Sequence, residues 1–416
     1  MNGRWIYVLL IGLVSNSCSK NGITLPPYNA NSNLSNTILV TDSVIRQLEG
    51  VYMLGPGSDG LGSHFVCKKS KSKLSFFSAK EGIYIILNYG LNPNDSSIQF
   101  SGFWRYSERR DQGTILFSIS VNNGARDLLL QHGVGNHLIL EGAYTANGGS
   151  TAPLSFIFER QFSAYTLAHP FQIYAHHGVQ TTANPPYAEN SLGGVLHDED
   201  YGANGLEFDV HLTRDHVPIC IHDGSINTRI NEKGPLSGDF IQYDFPFLTR
   251  YIRLVDGEQI PSVEQVLTAF IDSTSMTHMW LDIKGDPGIF KYLEPVVRNA
   301  YSHAAAVNRT VVIFADLPTK SVIKEYQTQP SYASLPTMCE LSLQDVMDNH
   351  CQYYGPRFSE GLLLAEVEKA HSLGIQVLSW TLNDKNIISN YIQNGKFDGV
   401  ISDYPAYVVY DYYTYY

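Results

Sequence analysis

The spacing of apolar residues changes character near position 170. Between residues 41 and 163 no long window repeats at the helical period. Short apolar or alternating runs recur instead, at Gly82–Leu87, Ser97–Tyr106, Thr114–Val121, His137–Tyr144 and Leu154–Phe158. Turn-forming clusters separate them: Gly55-Pro56-Gly57, Asn92-Pro93-Asn94-Asp95, Asn122-Asn123-Gly124 and Asn147-Gly148-Gly149. Side chains alternate faces along a strand, and Gly, Pro and Asn close tight turns. The pattern therefore predicts a small all-β antiparallel barrel or sandwich. The aromatics around Phe100, Phe103, Trp104 and Tyr106 are expected to fill its core.

From about Phe171 onward, strand-like runs alternate with helical ones. The predicted strands are Gln172–His177, Gly205–Leu212, Val217–His222, Met279–Lys284, Thr310–Ala315, Pro336–Leu341, Gln376–Leu382 and Gly399–Ser402. Helical periodicity fills several gaps, at Val263–Asp272, Ile289–Ser302, Leu343–Asn349 and Leu362–Leu373. This alternation predicts an α/β domain, a (β/α)8 TIM-like barrel. The chain thus reads as multidomain, with an all-β domain over residues 41–163 and the barrel over 164–416.

The first forty residues carry a different signal. Arg4 precedes a ten-residue apolar run, Trp5 to Val14, too short to span a bilayer. Ser15-Asn16-Ser17 then leads into Cys18. Small residues before a cysteine resemble a bacterial lipoprotein cleavage box. That resemblance implies a signal peptide over residues 1–17, lipidation of Cys18, and export to the periplasmic or surface face of a bacterial membrane. Residues 18–40, rich in Asn, Ser and Pro, are expected to form a flexible tether. Of the other cysteines, Cys67, Cys220, Cys339 and Cys351, no pair has zinc-site spacing. Buried free thiols are expected, with a Cys339–Cys351 bridge as the alternative.

The formal net charge is −12. This argues against nucleic acid as a partner, and any phosphate substrate needs a local positive centre. Candidate chemistry gathers at the predicted strand ends, where a barrel places its active site. His176 and His177 follow one strand. Glu207 and Asp209 share a face of the next, because residues two apart point the same way. His222 ends the third, and Asp282 and Lys284 share a face of the fourth. Two carboxylates facing a barrel interior need a cation between them. Glu207, Asp209 and Asp282 are hard oxygen donors, suited to Mg²⁺ or Ca²⁺. His176 and His222 remain for proton transfer.

These pieces resemble, in order, the glycerophosphodiester phosphodiesterase family over about 240 residues. The matching segments are Ala175-His176-His177-Gly178, Glu189-Asn190-Ser191, Gly202 to Val210, Leu212 to Asp215 and Val217 to Asp223. Ile260 to Leu267, Trp380-Thr381-Leu382-Asn383 and Asp398 to Pro405 complete the set. The resemblance implies metal-dependent hydrolysis of glycerophosphodiesters to glycerol 3-phosphate and an alcohol. It implies His176 and His222 as the acid/base pair and Glu207, Asp209 and Asp282 as metal ligands. It places Lys284 beside the phosphate and Trp380 at the rim. His177 stands where the family has a phosphate-contacting arginine, and Asp282 where glutamate is usual. Histidine cannot reproduce the guanidinium fork, so Arg229 is a candidate substitute beside a solvated-loop reading. Asp282 followed by Lys284 is also similar to sphingomyelinase D-type lipases. A phosphodiester- or glycan-binding barrel without turnover is the non-enzymatic alternative. Leu48-Glu49-Gly50-Val51-Tyr52 resembles the opening of lipocalin-like domains in exported bacterial proteins. The lysines Lys68, Lys69, Lys71 and Lys73 are expected in a solvated turn. The seven tyrosines between Tyr404 and Tyr416 are expected in a terminal helix or strand packed on the barrel.

Overall fold

The computed structural model describes residues 33–416 apart from 57–58, 110, 136, 147–148, 179–186, 331 and 333. The expected signal peptide, Cys18 and the first part of the tether lie outside these residues. The tether's last residues are docked instead. Asn33 Nδ2 donates to Ser101 Oγ at 2.9 Å, and Ile38 bridges Leu91.

Eight antiparallel strands form the first domain: β1 (Gly50–Leu54), β2 (His64–Lys69), β3 (Leu74–Phe77), β4 (Tyr84–Leu91), β5 (Ile98–Arg105), β6 (Gln112–Ile119), β7 (Ile139–Thr145) and β8 (Thr151–Arg160). Each pairs with its neighbour in sequence, and β1 pairs with β8, so the meander closes into a barrel. Closure leaves no edge strand. Phe100, Trp104 and Tyr106 sit in its filled interior with Phe65, Phe76 and Phe156. Phe103 points the other way, as strand alternation requires, and joins the second domain's core.

The second domain is a closed parallel barrel of β9 (Gln172–Ala175), β10 (Gly205–Leu212), β11 (His278–Ile283), β12 (Val312–Leu317), β13 (Thr337–Cys339), β14 (Tyr353–Tyr354), β15 (Gln376–Ser379) and β16 (Gly399–Ser402). The predicted helices form at Val263–Ser273, Ile289–Ala306, Leu343–Asp348 and Leu364–Ser372. Ser262 and Gln265 close a capping box at the first of these.

The predicted strand Val217–His222 is not in this barrel. Pro218–Cys220 folds back antiparallel on β10, pairing Val210 with Cys220 and Leu212 with Pro218. A parallel crossover needs a dozen or more residues. Only the turn Thr213–Val217 intervenes, held by Thr213 Oγ1 donating to Asp215 at 2.6 Å. The strand that completes the barrel is instead the sixth in chain order, Tyr353–Tyr354, too short to show alternation in sequence.

Seven barrel strands each send one large side chain into the lumen: Tyr174, Trp280, Phe314, Met338, Tyr353, Leu378 and Ile401. Phe314 and Tyr353 stack with ring centroids 4.3 Å apart. The lumen is thus plugged beneath the C-terminal mouth.

The two barrels share one continuous buried cluster. Val66, Phe77, Tyr84, Ile86 and Phe103 from the first meet Tyr201, Val409 and Tyr412 from the second. Tyr84 and Tyr201 pack edge to face at 4.9 Å. Gly202, at φ 104°, admits this approach: a Cβ there would lie 2.6 Å from Val409 and 3.2 Å from Phe77. The tyrosine-rich end is a helix, Pro405–Tyr415, wedged into this interface. The lysine run departs from the solvated-turn expectation. Lys69 is buried, Lys68 Nζ donates to Tyr413 at 3.0 Å, and Lys71 Nζ donates to the Asp272 carbonyl at 2.6 Å. Neighbouring Ser70 Oγ donates to Asp200 at 2.5 Å. Lys68 and Lys71 thus satisfy acceptors of the second barrel, whereas Lys69 and Lys73 are held within the first, Lys69 by the Ser70 carbonyl and Lys73 by Asn88 Oδ1.

Phe77→Ala removes a fully buried interface ring. Loss of this contact should destabilise the protein by about 3–5 kcal/mol. Urea unfolding should show one transition at lower midpoint; two separate transitions would show that the interface does not couple the barrels.

Candidate active site

The parallel register of β10 and β11 sets Asp209 directly beside Asp282, with Glu207 two residues earlier on the same face. Oxygens of all three carboxylates lie within 4.8 Å of one another. Glu207 is 2% exposed and Asp209 fully buried. Lys284 Nζ spans the cluster, 2.7 Å from Asp209 Oδ1 and 2.7 Å from Asp282 Oδ2. Asn190 clamps Asp209 from the other side: its Nδ2 donates to Oδ2 at 2.6 Å, and its Oδ1 accepts from the Asp209 amide at 2.9 Å. Asn190 adopts φ 58°, which aims its side chain at β10.

His177 is drawn into the same charge cluster. Its amide donates to Glu207 Oε2 at 2.8 Å, and its Nδ1 lies 2.7 Å from Asp209 Oδ2. Burial opposes its charge, but Asp209 and Glu207 outweigh burial and lift its pKa to about 10. Burial and then the charge of Asp209 push Glu207 up to about 8, although His177 and Lys284 act against them. Asp209 is held well below the carboxylate range. Burial resists that, and His177 and Lys284 overcome it. Lys284 is raised for the complementary reason. Glu207 Oε1 is buried with no hydrogen-bond partner among the described residues. Three hard oxygen donors with one orphaned buried oxygen fit a divalent cation such as Mg²⁺ or Ca²⁺.

Both proton-transfer candidates are anchored through Nδ1. His176 Nδ1 donates to Asp403 Oδ1 at 2.6 Å, and Asn383 Nδ2 holds Asp403 Oδ2 at 2.7 Å. Burial first, and then the His177 charge, lower the His176 pKa, with Asp403 opposing. His176 is therefore neutral at pH 7, with the Nε2 lone pair free of any bond among the described residues. His222 Nδ1 donates to Asp223 Oδ1 at 2.7 Å. The His177 ring lies between the two, 3.5 Å from His176 and 4.9 Å from His222 by centroids.

Arg229 is brought to this edge but is already committed. It contacts Glu189 Oε1 at 2.7 Å and Oε2 at 2.8 Å, and Asp223 Oδ1 at 2.7 Å and Oδ2 at 3.0 Å. It lies exposed in a turn, and its guanidinium is held by two carboxylates rather than left free for a phosphate. His177, the other expected phosphate contact, spends its Nδ1 on carboxylates. Trp380 lies at the opposite side of the mouth, its Nε1 donating to the Gly355 carbonyl at 2.9 Å. The four described cysteines are free and buried, so the Cys339–Cys351 bridge does not form.

Sequence reasoning missed a second acidic group. Asp316 is fully buried and accepts from the Ile283 amide at 2.7 Å and Trp280 Nε1 at 3.2 Å. Glu340 follows β13; burial and the charge of Asp282 raise its pKa to about 7. Asp403, Asn190 and Asp223 also went unassigned, although each sits in a strand-end or loop segment already singled out. A cavity of about 660 Å³ opens at the other, N-terminal end of the barrel, among Gln172, His278, Gln376 and Tyr412. It touches none of these groups.

Two histidines with carboxylate-anchored Nδ1 atoms gather with a triad of acids at the C-terminal mouth of a (β/α)8 barrel, where this fold places its active sites. The chain belongs to the glycerophosphoryl diester phosphodiesterase family, whose model matches residues 176–407, and so stands among the phosphoric diester hydrolases. It is 25% identical over 245 residues to a glycerophosphodiester phosphodiesterase of Bacillus altitudinis, covering 56% of this chain and 95% of that one. A relative so named in Caldanaerobacter subterraneus is 24% identical over 237 residues, covering 56% of this chain and 94% of its own. Among solved structures, a glycerophosphodiester phosphodiesterase from Parabacteroides distasonis superposes with TM-score 0.45 and 21% identity, covering 56% of this chain and 93% of that one.

Glu207, His177 and Glu340 all hold protons in the folded protein at pH values where their unfolded counterparts release them. A raised folded pKa stabilises at low pH, and that stabilisation is lost as pH rises through the folded value. In chelator, the melting temperature should therefore fall between pH 6.5 and 8, and Glu207→Gln should flatten the fall. A melting temperature that rises across this window contradicts the charge arrangement.

Proposed function

We propose that this protein hydrolyses glycerophosphodiesters to glycerol 3-phosphate and an alcohol. Glu207, Asp209 and Asp282 would hold a divalent ion, Mg²⁺ or Ca²⁺. When bound, the ion supplies positive charge to the phosphate oxygens and to the charge that builds in the transition state. Lys284 adds a second positive charge at the same place. His176, neutral and anchored by Asp403, takes the proton from the attacking hydroxyl at Nε2. His222, oriented by Asp223, delivers a proton to the leaving alcohol. The glycerol 2-hydroxyl is the favoured nucleophile, because it is already tethered beside the phosphorus. Water then opens the cyclic phosphate with the two histidines in exchanged roles. The observation that carries this reading is the pair of carboxylate-anchored histidines bracketing the acid triad.

Purified protein should release glycerol 3-phosphate from glycerophosphocholine with Mg²⁺ or Ca²⁺ and stop in chelator. His176→Ala and His222→Ala should each lower kcat by about 10²–10⁴-fold. Unchanged turnover in either variant overturns its role.

The membrane reading is part of the same proposal. The protein would be exported and held at a bacterial membrane by a lipid on Cys18, near deacylated headgroups. Labelled palmitate should enter the protein in cells and be lost in Cys18→Ser. Label retained in that variant would rule out Cys18 as the anchor.

A further inference from the structure

The positive groups at the mouth are unequally available. Lys284 is shared between Asp209 and Asp282, His177 between Asp209 and Glu207, and Arg229 is bound by Glu189 and Asp223. Arg357 is different. It follows β14 at the same C-terminal mouth and is exposed. Its guanidinium carbon lies 4.6 Å over the centre of the Trp380 ring. No carboxylate oxygen among the described residues comes within 4.0 Å of it. The nearby acid, Glu340, feels the charge of Arg357 but lies beyond ion-pair distance of it.

The platform beneath Arg357 is fixed. The Trp380 indole donates to the Gly355 carbonyl at 2.9 Å, and its own carbonyl accepts from the Phe358 amide at 3.1 Å. Arg357 and Trp380 also form a backbone bridge. A stacked guanidinium keeps its planar N–H edge open for bidentate contact with an oxyanion. Glu340 feels the charges of Asp282 and Lys284 and also that of Arg357. Around the barrel, β14 and β15 lie opposite β10. A diester whose phosphate sits at Glu207, Asp209 and Asp282 would therefore meet Arg357 with a different part of itself.

We infer that Arg357, stacked on Trp380, is a specificity residue that binds a second phosphate, so that the preferred substrates are glycerophosphodiesters whose headgroup is itself phosphorylated. This rests on the hydrolase reading and names its substrate class. The chain's net charge of −12 sharpens the point. A doubly anionic substrate gains from one uncommitted cation, whereas a cationic headgroup is repelled by it.

The test compares bis(glycerophospho)glycerol with glycerophosphocholine, using wild type, Arg357→Gln and Arg357→Lys. Steady-state kinetics with Mg²⁺ and calorimetric titration of the same compounds are read together. Arg357→Gln should raise KM and Kd for bis(glycerophospho)glycerol by about 10- to 100-fold, the range for a charge-assisted contact. Its kcat should stay within about twofold, as should both constants for glycerophosphocholine, and Arg357→Lys should recover part of the loss. Equal losses on both compounds, or none on bis(glycerophospho)glycerol, overturn the inference while leaving the hydrolase reading intact. If wild type turns over neither compound, the hydrolase reading fails. The titrations then decide on Arg357 alone, by whether Arg357→Gln selectively loses bis(glycerophospho)glycerol.

Discussion

The structure turns on how Glu207, Asp209 and Asp282 are kept together inside a barrel mouth. Three carboxylates within 4.8 Å, two of them buried, repel one another strongly in a poorly solvated space. Lys284 and His177 offset that repulsion as cations, Asn190 pins Asp209, and Glu207 keeps its proton. The compensation is incomplete, because Glu207 Oε1 stays buried without a partner. That shortfall is what a divalent cation would remove. The same need for positive charge turns His177 Nδ1 toward Asp209, 2.7 Å away.

The outer ring of the site follows a similar economy of charge. Asp403 and Asp223 are spent on orienting His176 and His222, and Arg229 is spent on Asp223 and Glu189. Each pairing makes a side chain rigid at the cost of its freedom to meet a ligand. Arg357 escapes because its partner is an aromatic face rather than a carboxylate. The plugged lumen below keeps the reacting groups at the mouth.

The first barrel is no loosely strung appendage. Its outer face supplies Phe77, Tyr84 and Phe103 to the second barrel's core, and the tyrosine-rich terminal helix seals the seam. This explains two features that looked separate in the sequence. One member of the lysine run and the tyrosine run meet across one interface, where Lys68 contacts Tyr413. Neither run has a periodicity that reveals a partner some 345 residues away.

By itself the sequence determined the two-part architecture, four of the second barrel's helices and the gathering of Glu207, Asp209, Asp282, Lys284, His176 and His222. Strand alternation puts residues two apart on one face, and a parallel barrel brings strand ends to one mouth, so local pattern suffices. Tertiary structure alone decided which runs are barrel strands, as Val217–His222 and Tyr353–Tyr354 illustrate, because loop length and non-local pairing choose between hairpin and crossover. It alone decided which charges are free. Whether Arg229 or Arg357 has a hand left for a ligand depends on acids brought in from elsewhere in the chain, and no spacing within a single segment records that.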